Sequence, residues 1–449
     1  MRIAIIGAGP TGLVAALKLT QKNHQVIIFE KEKYPGGLMA GFKNKGWDWP
    51  LERFYHHLFT SDKTAIRLIN ELDLKEKFFF KEPKTSIFKN KQINRFDSAI
   101  SLIKFPYLSL KERIRAGIAT LSLKLTDNWP ELEKIKAKEG LIDLYGQKTY
   151  EVLWKPLLKG KFGKFYQQIS MAWFWARIKK RSTSLGYLEG GFQILIDKLA
   201  EKIKQNGGQI LLNHEIKNSN ELIHWSKFDK VVFTTPTETF LKIMKDKLPQ
   251  DYSKNKVLPK AGSYKQELSQ FKMMGTINLV LSLKESFLTE GTYWLNINDK
   301  SYPFVAVVEH TNFIDKSHYN NQTILYVGGY YPQNHRYFRA EARKDERPEG
   351  KRHFKMKKED ILKEWLPYLK KINPTFNYQL SIINYQLFSS LYAQPIVPIN
   401  YSKNIPAHQT PIKNIYLANM QQICPWDRGL NYAIGMGKKI ANLIENEEI

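Results

Sequence analysis

The chain has 449 residues, of which 43% are hydrophobic, with a single cysteine and a formal net charge of +26. That length exceeds what one hydrophobic core serves, so two or three structural units are expected. No segment has the unbroken apolar length of a transmembrane helix, and Cys424 alone excludes an intramolecular disulfide and fits a reducing compartment.

The charge suits nucleic acid, an anionic membrane surface or acidic substrates, and equally a lysine-rich solvated surface, because the lysines are spread along the chain. No zinc-ligand spacing, recognition helix or RNA-binding aromatic signature is present, so no nucleic acid partner is expected. With no cysteine pair and no HExxH, no metal site is expected either.

The first predicted element is a strand, Ile3 to Ile6, broken at once by Gly7, Gly9 and Gly12. Leu13, Ala16, Leu17 and Thr20 then recur at helical spacing. Gly7 allows a tight turn, Gly9 lets backbone approach a pyrophosphate, and Gly12 lets the helix pack close to the strand. The helix start offers free N–H groups and a positive dipole end to phosphates. A second strand, HQVIIFE, ends in Glu30, 23 positions after Gly7, where a carboxylate meets ribose hydroxyls. Strand, turn, helix and distal acid together predict dinucleotide binding, and Glu30 disfavours a 2′-phosphate. A secretory signal is not expected, since turn glycines interrupt the apolar run and no small-residue cleavage site precedes the helix.

Further along, a loop carries Gly36 and Gly37, and then the segment FYHHLFTSD. Residues 96–185 read as largely helical, with SLKERIRAGIATLSLKLT amphipathic and basic. Residues 186–220 give a Gly turn, a helix, a second Gly turn and a strand, and FDKVVFTTP follows as a buried strand. Alternation over residues 265–335 predicts an antiparallel sheet, and the mixed charges of residues 340–360 predict an exposed loop or linker. The chain closes with a strand, a loop and a helix whose Gly429, Ala433, Gly437 and Ala441 line one close-packing face.

In this order, the first glycine motif, Glu30, the Gly36–Gly37 pair, GGFQILIDKLAEKI…GGQILLNHEI and the closing strand and helix resemble flavoproteins of the amine oxidase and protoporphyrinogen oxidase group, which includes phytoene desaturases and UDP-galactopyranose mutases. The resemblance implies FAD. It also implies an α/β fold: a discontinuous Rossmann-like FAD-binding domain of residues 1–95, 186–240 and 391–449, a helical insertion at 96–185, and a mainly antiparallel β substrate domain at 241–390.

Carried over by position, Gly7, Ala8, Gly9, Pro10, Thr11, Gly12, Glu30 and Lys31 would hold the nucleotide. Gly36, Gly37 and Leu38 would approach the ribityl and pyrophosphate, and Ile216 and Thr235 the adenine side. Asn419 stands where the group has an acid on the ribityl chain, so that contact would lack charge assistance. Gly429, Leu430 and Asn431, at the start of the last helix, would stabilise negative charge on a reduced flavin.

For catalysis the candidates are His56, His57 and Arg428. FYHHLFTSD resembles the histidine-bearing segment of the mutases, and VAVVEHTNF, around Glu309 and His310, resembles another mutase segment. If the first is extended, His56 and His57 point opposite ways and one at most faces a flavin. Arg428 would clamp an anionic substrate or else pair locally with Asp427, while Tyr432 could face the site. Trp173, Phe174 and Trp175 read as core, and Arg177 and Lys179–Arg181 as an anion-binding entrance.

The expected activity is hydride acceptance by FAD from a C–H bond of an organic substrate, anionic or lipid-linked. The alternative is a nucleotide-sugar mutase without net redox change. The expected location is the cytoplasm, with peripheral membrane contact offered by the basic amphipathic residues 100–126.

Overall fold

A computed structural model describes residues 1–221, 227–249, 263–333 and 354–447 of the chain. Its first sheet has five parallel strands in the order Gln209–Leu211, Gln25–Phe29, Arg2–Ile6, Lys230–Phe233 and Ile415–Leu417. Parallel strands are buried on both faces, and side chains alternate between them. Ile3 and Ile5 pack among the helices Pro10–Thr20, Gln193–Gln205 and Leu430–Asn446, while Ala4 and Ile6 pack with Phe233 and Phe240 on the other side.

Two glycines set the closeness of this packing. A Cβ on Gly12 would lie 2.1 Å from the Gly7 carbonyl oxygen, and one on Gly437 would lie 2.6 Å from that of Thr11. The first and last helices of the parallel unit therefore meet backbone to backbone.

The second sheet has seven strands, ordered Ile382–Pro395, Met273–Leu283, Thr323–Pro332, Ala306–Glu309, Thr292–Ile297, Lys84–Lys89 and Gln92–Arg95. It is antiparallel except where Thr292–Ile297 runs parallel to Lys84–Lys89. Residues 84–95, expected in the nucleotide-binding part, thus belong to this sheet, and Ile382–Pro395 runs across the expected boundary at residue 391.

The expected polar alternation fails on Met273–Leu283, an interior strand of this sheet, which is buried at all but Thr276. Helix Lys358–Ile372 covers one face, setting Ile361, Trp365 and Leu369 against Ile277, Leu279 and Leu281. The opposite face turns towards the rest of the molecule, with Val280 in the core shared with the parallel unit. Of the charged stretch at 340–360, residues 340–353 lie outside the described residues.

In the chain between strands Gln92–Arg95 and Leu185–Leu188, helices run from Ala99 to Lys180, with Trp173, Phe174 and Trp175 buried in their core as expected.

Candidate active site

At the nucleotide turn, the Gly7 N–H donates to Phe29 O at 2.9 Å, tying the turn to the second strand. The buried Glu30 carboxylate accepts from the N–H of Ala8 at 2.8 Å and of Glu32 at 2.9 Å. Its place beside the turn is therefore fixed by the backbone. Lys31, by contrast, is exposed and pairs with Glu32 at 3.6 Å. Gly36, at φ +122°, donates its N–H to Ala8 O at 2.8 Å, and a Cβ on Gly37 would lie 3.3 Å from Gly9 Cα. The two glycine segments, distant in sequence, form one surface.

Three observations test whether FAD fits here. A Cβ on Gly9 would meet nothing within 4 Å, and Gly9 caps the helix starting at Pro10 without a side-chain hydrogen bond. The buried Thr235 hydroxyl has no partner. The helix starting at Leu430 also has no side-chain cap at Gly429. Open backbone, free donors at two helix starts and an orphaned hydroxyl match a dinucleotide carrying anionic groups.

Around this frame, Thr11 Oγ1 donates to Ala433 O at 3.1 Å, locking the two helices together. Ile216 is buried with Ile6 and Phe29, and the His214 N–H donates to Glu30 O at 2.8 Å, which holds that segment to the end of the second strand. Asn419 is committed to structure: its amide donates to Thr235 O at 3.0 Å and Thr237 Oγ1 at 3.1 Å, and its oxygen accepts from Gln421 N. Thr234, absent from the sequence-derived candidates, closes the turn, its hydroxyl 3.0 Å from the carbonyl oxygens of Ile6 and Gly7.

A cavity of about 270 Å³ opens where the parallel unit, the helices and the seven-stranded sheet meet. The parallel unit contributes Leu38 and Gly429–Leu430–Asn431 to its wall. Asn431 also accepts the Thr64 and Ala65 N–H groups, capping helix Lys63–Glu71 and anchoring this part of the wall. Tyr55, His56, His57, Tyr293, Trp294 and Tyr330 supply rings, and Lys161, Arg177, Lys180, Arg181 and Arg428 supply cations.

Both histidines line this one cavity. Residues 55–57 form no regular strand, the condition on which opposite-pointing side chains were expected. The His56 ring Nδ1 bonds Phe54 O. A carbonyl only accepts, so Nδ1 carries the proton and Nε2 keeps a free lone pair. Burial, aided by Arg428, lowers the His56 pKa to about 4, despite the carbonyl. Burial, with Arg181 next, lowers that of His57 to about 3, and His57 Nδ1 is buried without a partner. Both imidazoles are neutral near pH 7.

Asp427 and Arg428 do not pair through their side chains. The Asp427 carboxylate accepts from Arg177 at 2.8 Å, Trp173 Nε1 at 3.0 Å and Gln394 Nε2 at 3.1 Å, with Lys161 Nζ 3.9 Å away. Burial opposes its charge, but Lys161, Arg177 and Arg428 outweigh that and hold its pKa well below the usual carboxylate range. Arg428 instead donates to Gln394 Oε1 at 3.0 Å and to the Tyr330 hydroxyl at 2.7 Å.

Lys161 lies over the Tyr330 ring, 4.8 Å from its centre, and burial lowers its pKa to about 8. Burial would raise the Tyr330 phenol, yet Arg428, Lys161 and Arg177 together bring it below its ordinary value. Asn278 adds an acceptor: its amide donates to Arg53 O at 2.6 Å and its oxygen is buried without a partner. Sequence reading missed Lys161, Tyr330, Gln394 and Asn278, whose surroundings give no local motif.

The other expected residues fall elsewhere. Glu309 is cradled by Ser286 Oγ and the Phe287 and Leu288 N–H groups, and His310 Nε2 lies 2.9 Å from the Tyr319 hydroxyl. Neither lines the cavity; of VAVVEHTNF, only Val305 and Ala306 do. Tyr432 does reach the wall. Cys424 is half-buried, its thiol pushed up to about 12 by burial and Glu133. Among the described residues, no three His, Cys, Asp or Glu side chains cluster as metal ligands.

The family model described as flavin containing amine oxidoreductase matches residues 10–444. A 4,4′-diapophytoene desaturase (4,4′-diaponeurosporene-forming) of Staphylococcus haemolyticus is 51% identical over 51 residues, 11% of this chain and 10% of that protein. The 15-cis-phytoene desaturase of Synechococcus elongatus is 24% identical over 252 residues, 48% of this chain and 50% of that protein. The chain thus spans half or less of the length of these relatives.

Among solved structures, a candidate protoporphyrinogen oxidase from Exiguobacterium matches with TM-score 0.71 and 18% identity, covering 99% of each chain. Reduced UDP-galactopyranose mutase matches with TM-score 0.71 and 13% identity, covering 99% of this chain and 95% of that one. Cyclohexylamine oxidase from Brevibacterium oxydans matches with TM-score 0.66 and 13% identity, covering 99% of each. These likenesses establish a shared fold.

Proposed function

The chain belongs to the flavin-containing amine oxidoreductase family, and from that premise we propose that it is an FAD-dependent oxidoreductase acting on an anionic organic substrate. One observation carries this reading: the uncapped helix start at Gly429–Leu430–Asn431 is also a wall of the cation-lined cavity. FAD, when bound, supplies the hydride acceptor. Gly429 and Leu430 would face its pyrimidine edge with free N–H groups and the positive helix end, favouring the charge of the reduced ring. The Gly7–Gly12 turn, Glu30, Gly36 and Gly37 would hold the nucleotide.

Five cations line the cavity, with Asp427 and Asp62 the acids among its walls. That balance attracts a carboxylate or phosphate and repels the ammonium form of an amine. Arg428, held by Gln394 and Tyr330, is oriented to position the anionic end. The C–H bond gives up its hydrogen with both electrons, and the companion proton leaves to His56 Nε2 or to water. His56 is the catalytic residue of this reading, and the neutral imidazole of His57 beside it adds no further charge.

His56→Ala should lower turnover at least tenfold while leaving flavin content unchanged, read by steady-state kinetics and flavin absorbance. Full activity in that variant removes His56 from catalysis. The cations also suit a diphosphate, which favours a second reading as a mutase of nucleotide sugars. It predicts that only the reduced protein turns over, and only with such a sugar.

A further inference from the structure

We propose that helices Ala99–Ile103 and Leu110–Leu125 form a face that docks on an anionic lipid bilayer. Leu110, Ile114, Ile118, Leu121 and Leu125 are each 56–71% exposed. At 3.6 residues per turn they fall within an arc of about 80°. Ala116, Ala119 and Leu123, the buried residues of the same helix, lie on the opposite side. The usual amphipathic arrangement is thus largely inverted: two alanines and a single leucine face the protein, and five large aliphatic side chains face solvent. Ile100 and Ile103, 67% and 58% exposed, extend the ridge onto the neighbouring helix.

Charge selects the occupant. Lys111 flanks the ridge on one side and Arg113 and Lys124 on the other, with Lys104 following Ile103. Glu112 is the acid of the longer helix, and its carboxylate is taken up by the Ser109 N–H in the N-terminal cap. An apolar ridge bordered by cations matches the boundary between acyl chains and anionic headgroups. A second copy would bring the same cations face to face, on a chain already at +26.

The face adjoins the site. Helix Leu110–Leu125 packs on helix Met171–Lys180, which carries Arg177 of the cavity wall, and Lys124 Nζ donates to the carbonyl of Arg181 at 3.2 Å. Docking would therefore bring the cationic wall close to the membrane. No helix among the described residues is long and apolar enough to cross one, so the contact is peripheral.

The test is flotation of the flavin-loaded protein with vesicles of phosphatidylcholine alone and of phosphatidylcholine with phosphatidylglycerol, at low and high salt. The unaltered protein should float with the anionic vesicles, less so at high salt. Ile114→Ser/Ile118→Ser/Leu121→Ser should weaken that binding roughly tenfold or more. Lys104→Gln/Lys111→Gln should remove much of the salt-sensitive part. All three apolar sites are more than half exposed, so unchanged circular dichroism and flavin absorbance will show that the fold is kept. No flotation with anionic vesicles, or equal flotation of the triple variant, overturns the proposal. So does concentration-dependent self-association that the triple variant abolishes without any vesicle binding, which would assign the ridge to a second copy.

Discussion

At the scale of single residues, the site is governed by how few of its charges are balanced. Asp427 serves Arg177, Trp173 and Gln394 and lies within reach of Lys161. Asp427→Ala leaves the cations facing one another and should cost about 3–5 kcal/mol of stability, measured by thermal or denaturant unfolding. A loss below about 1 kcal/mol would mean that solvent already screens the cluster.

Lys161 makes the cavity's charge depend on pH. Its pKa of about 8 means that it is a cation below that pH and neutral above it. Tyr330, lowered by Arg428, Lys161 and Arg177, gains negative charge as pH rises. Both changes act in the same direction, so KM for an anionic substrate should rise as pH passes about 8. Lys161→Gln should flatten that rise and raise KM at neutral pH.

At the scale of elements, the glycines separate fold from cofactor. Gly9 has ordinary φ and ψ of −71° and 173°, with open space where its Cβ would stand. Gly9→Ala should therefore fold as the parent does, yet lose flavin affinity by tenfold or more, because the methyl group takes space the cofactor needs. Gly12→Ala places its Cβ 2.1 Å from Gly7 O and should destabilise the protein itself. Equal flavin retention in Gly9→Ala would remove this turn from the cofactor site. The paired unfolding and flavin-release measurements check both outcomes.

This strand, turn and helix were legible because the glycines, the apolar run and Glu30 act within thirty residues. The place of Lys84–Lys89 was not. Its partner Thr292–Ile297 lies some two hundred residues away, and a parallel pairing leaves no turn between the strands to read. Lys161, Gln394 and Tyr330 were illegible for the same reason: each comes from a different element and meets Asp427–Arg428 only in the folded chain. The exposed ridge was half legible. Its composition showed amphipathic and basic character, but only the packing reveals that the large side chains face outward.

At the scale of the whole molecule, three bodies of structure close around one cavity, and closure is what desolvates its histidines. His56, His57 and the more distant His310 are held by burial at about 4, 3 and 3, against an ordinary 6.5. Below 6.5 the unfolded chain takes up protons that the folded one refuses, so stability is full above that pH and is lost as pH falls towards 4. The thermal midpoint should decline over that interval, and His310→Gln should shallow the decline without touching the cavity. A flat profile would mean that these rings reach water in the folded protein.

The central claim is that bound FAD and a cation-lined substrate cavity work together. It is tested most directly by the anaerobic visible spectrum of the oxidised protein during titration with carboxylated or phosphorylated organic compounds and with their amine counterparts. The account predicts a bound-flavin spectrum that bleaches with an anionic compound and resists the amine. A colourless protein that takes up no FAD, or a flavin bleached by amines and indifferent to anions, would contradict it.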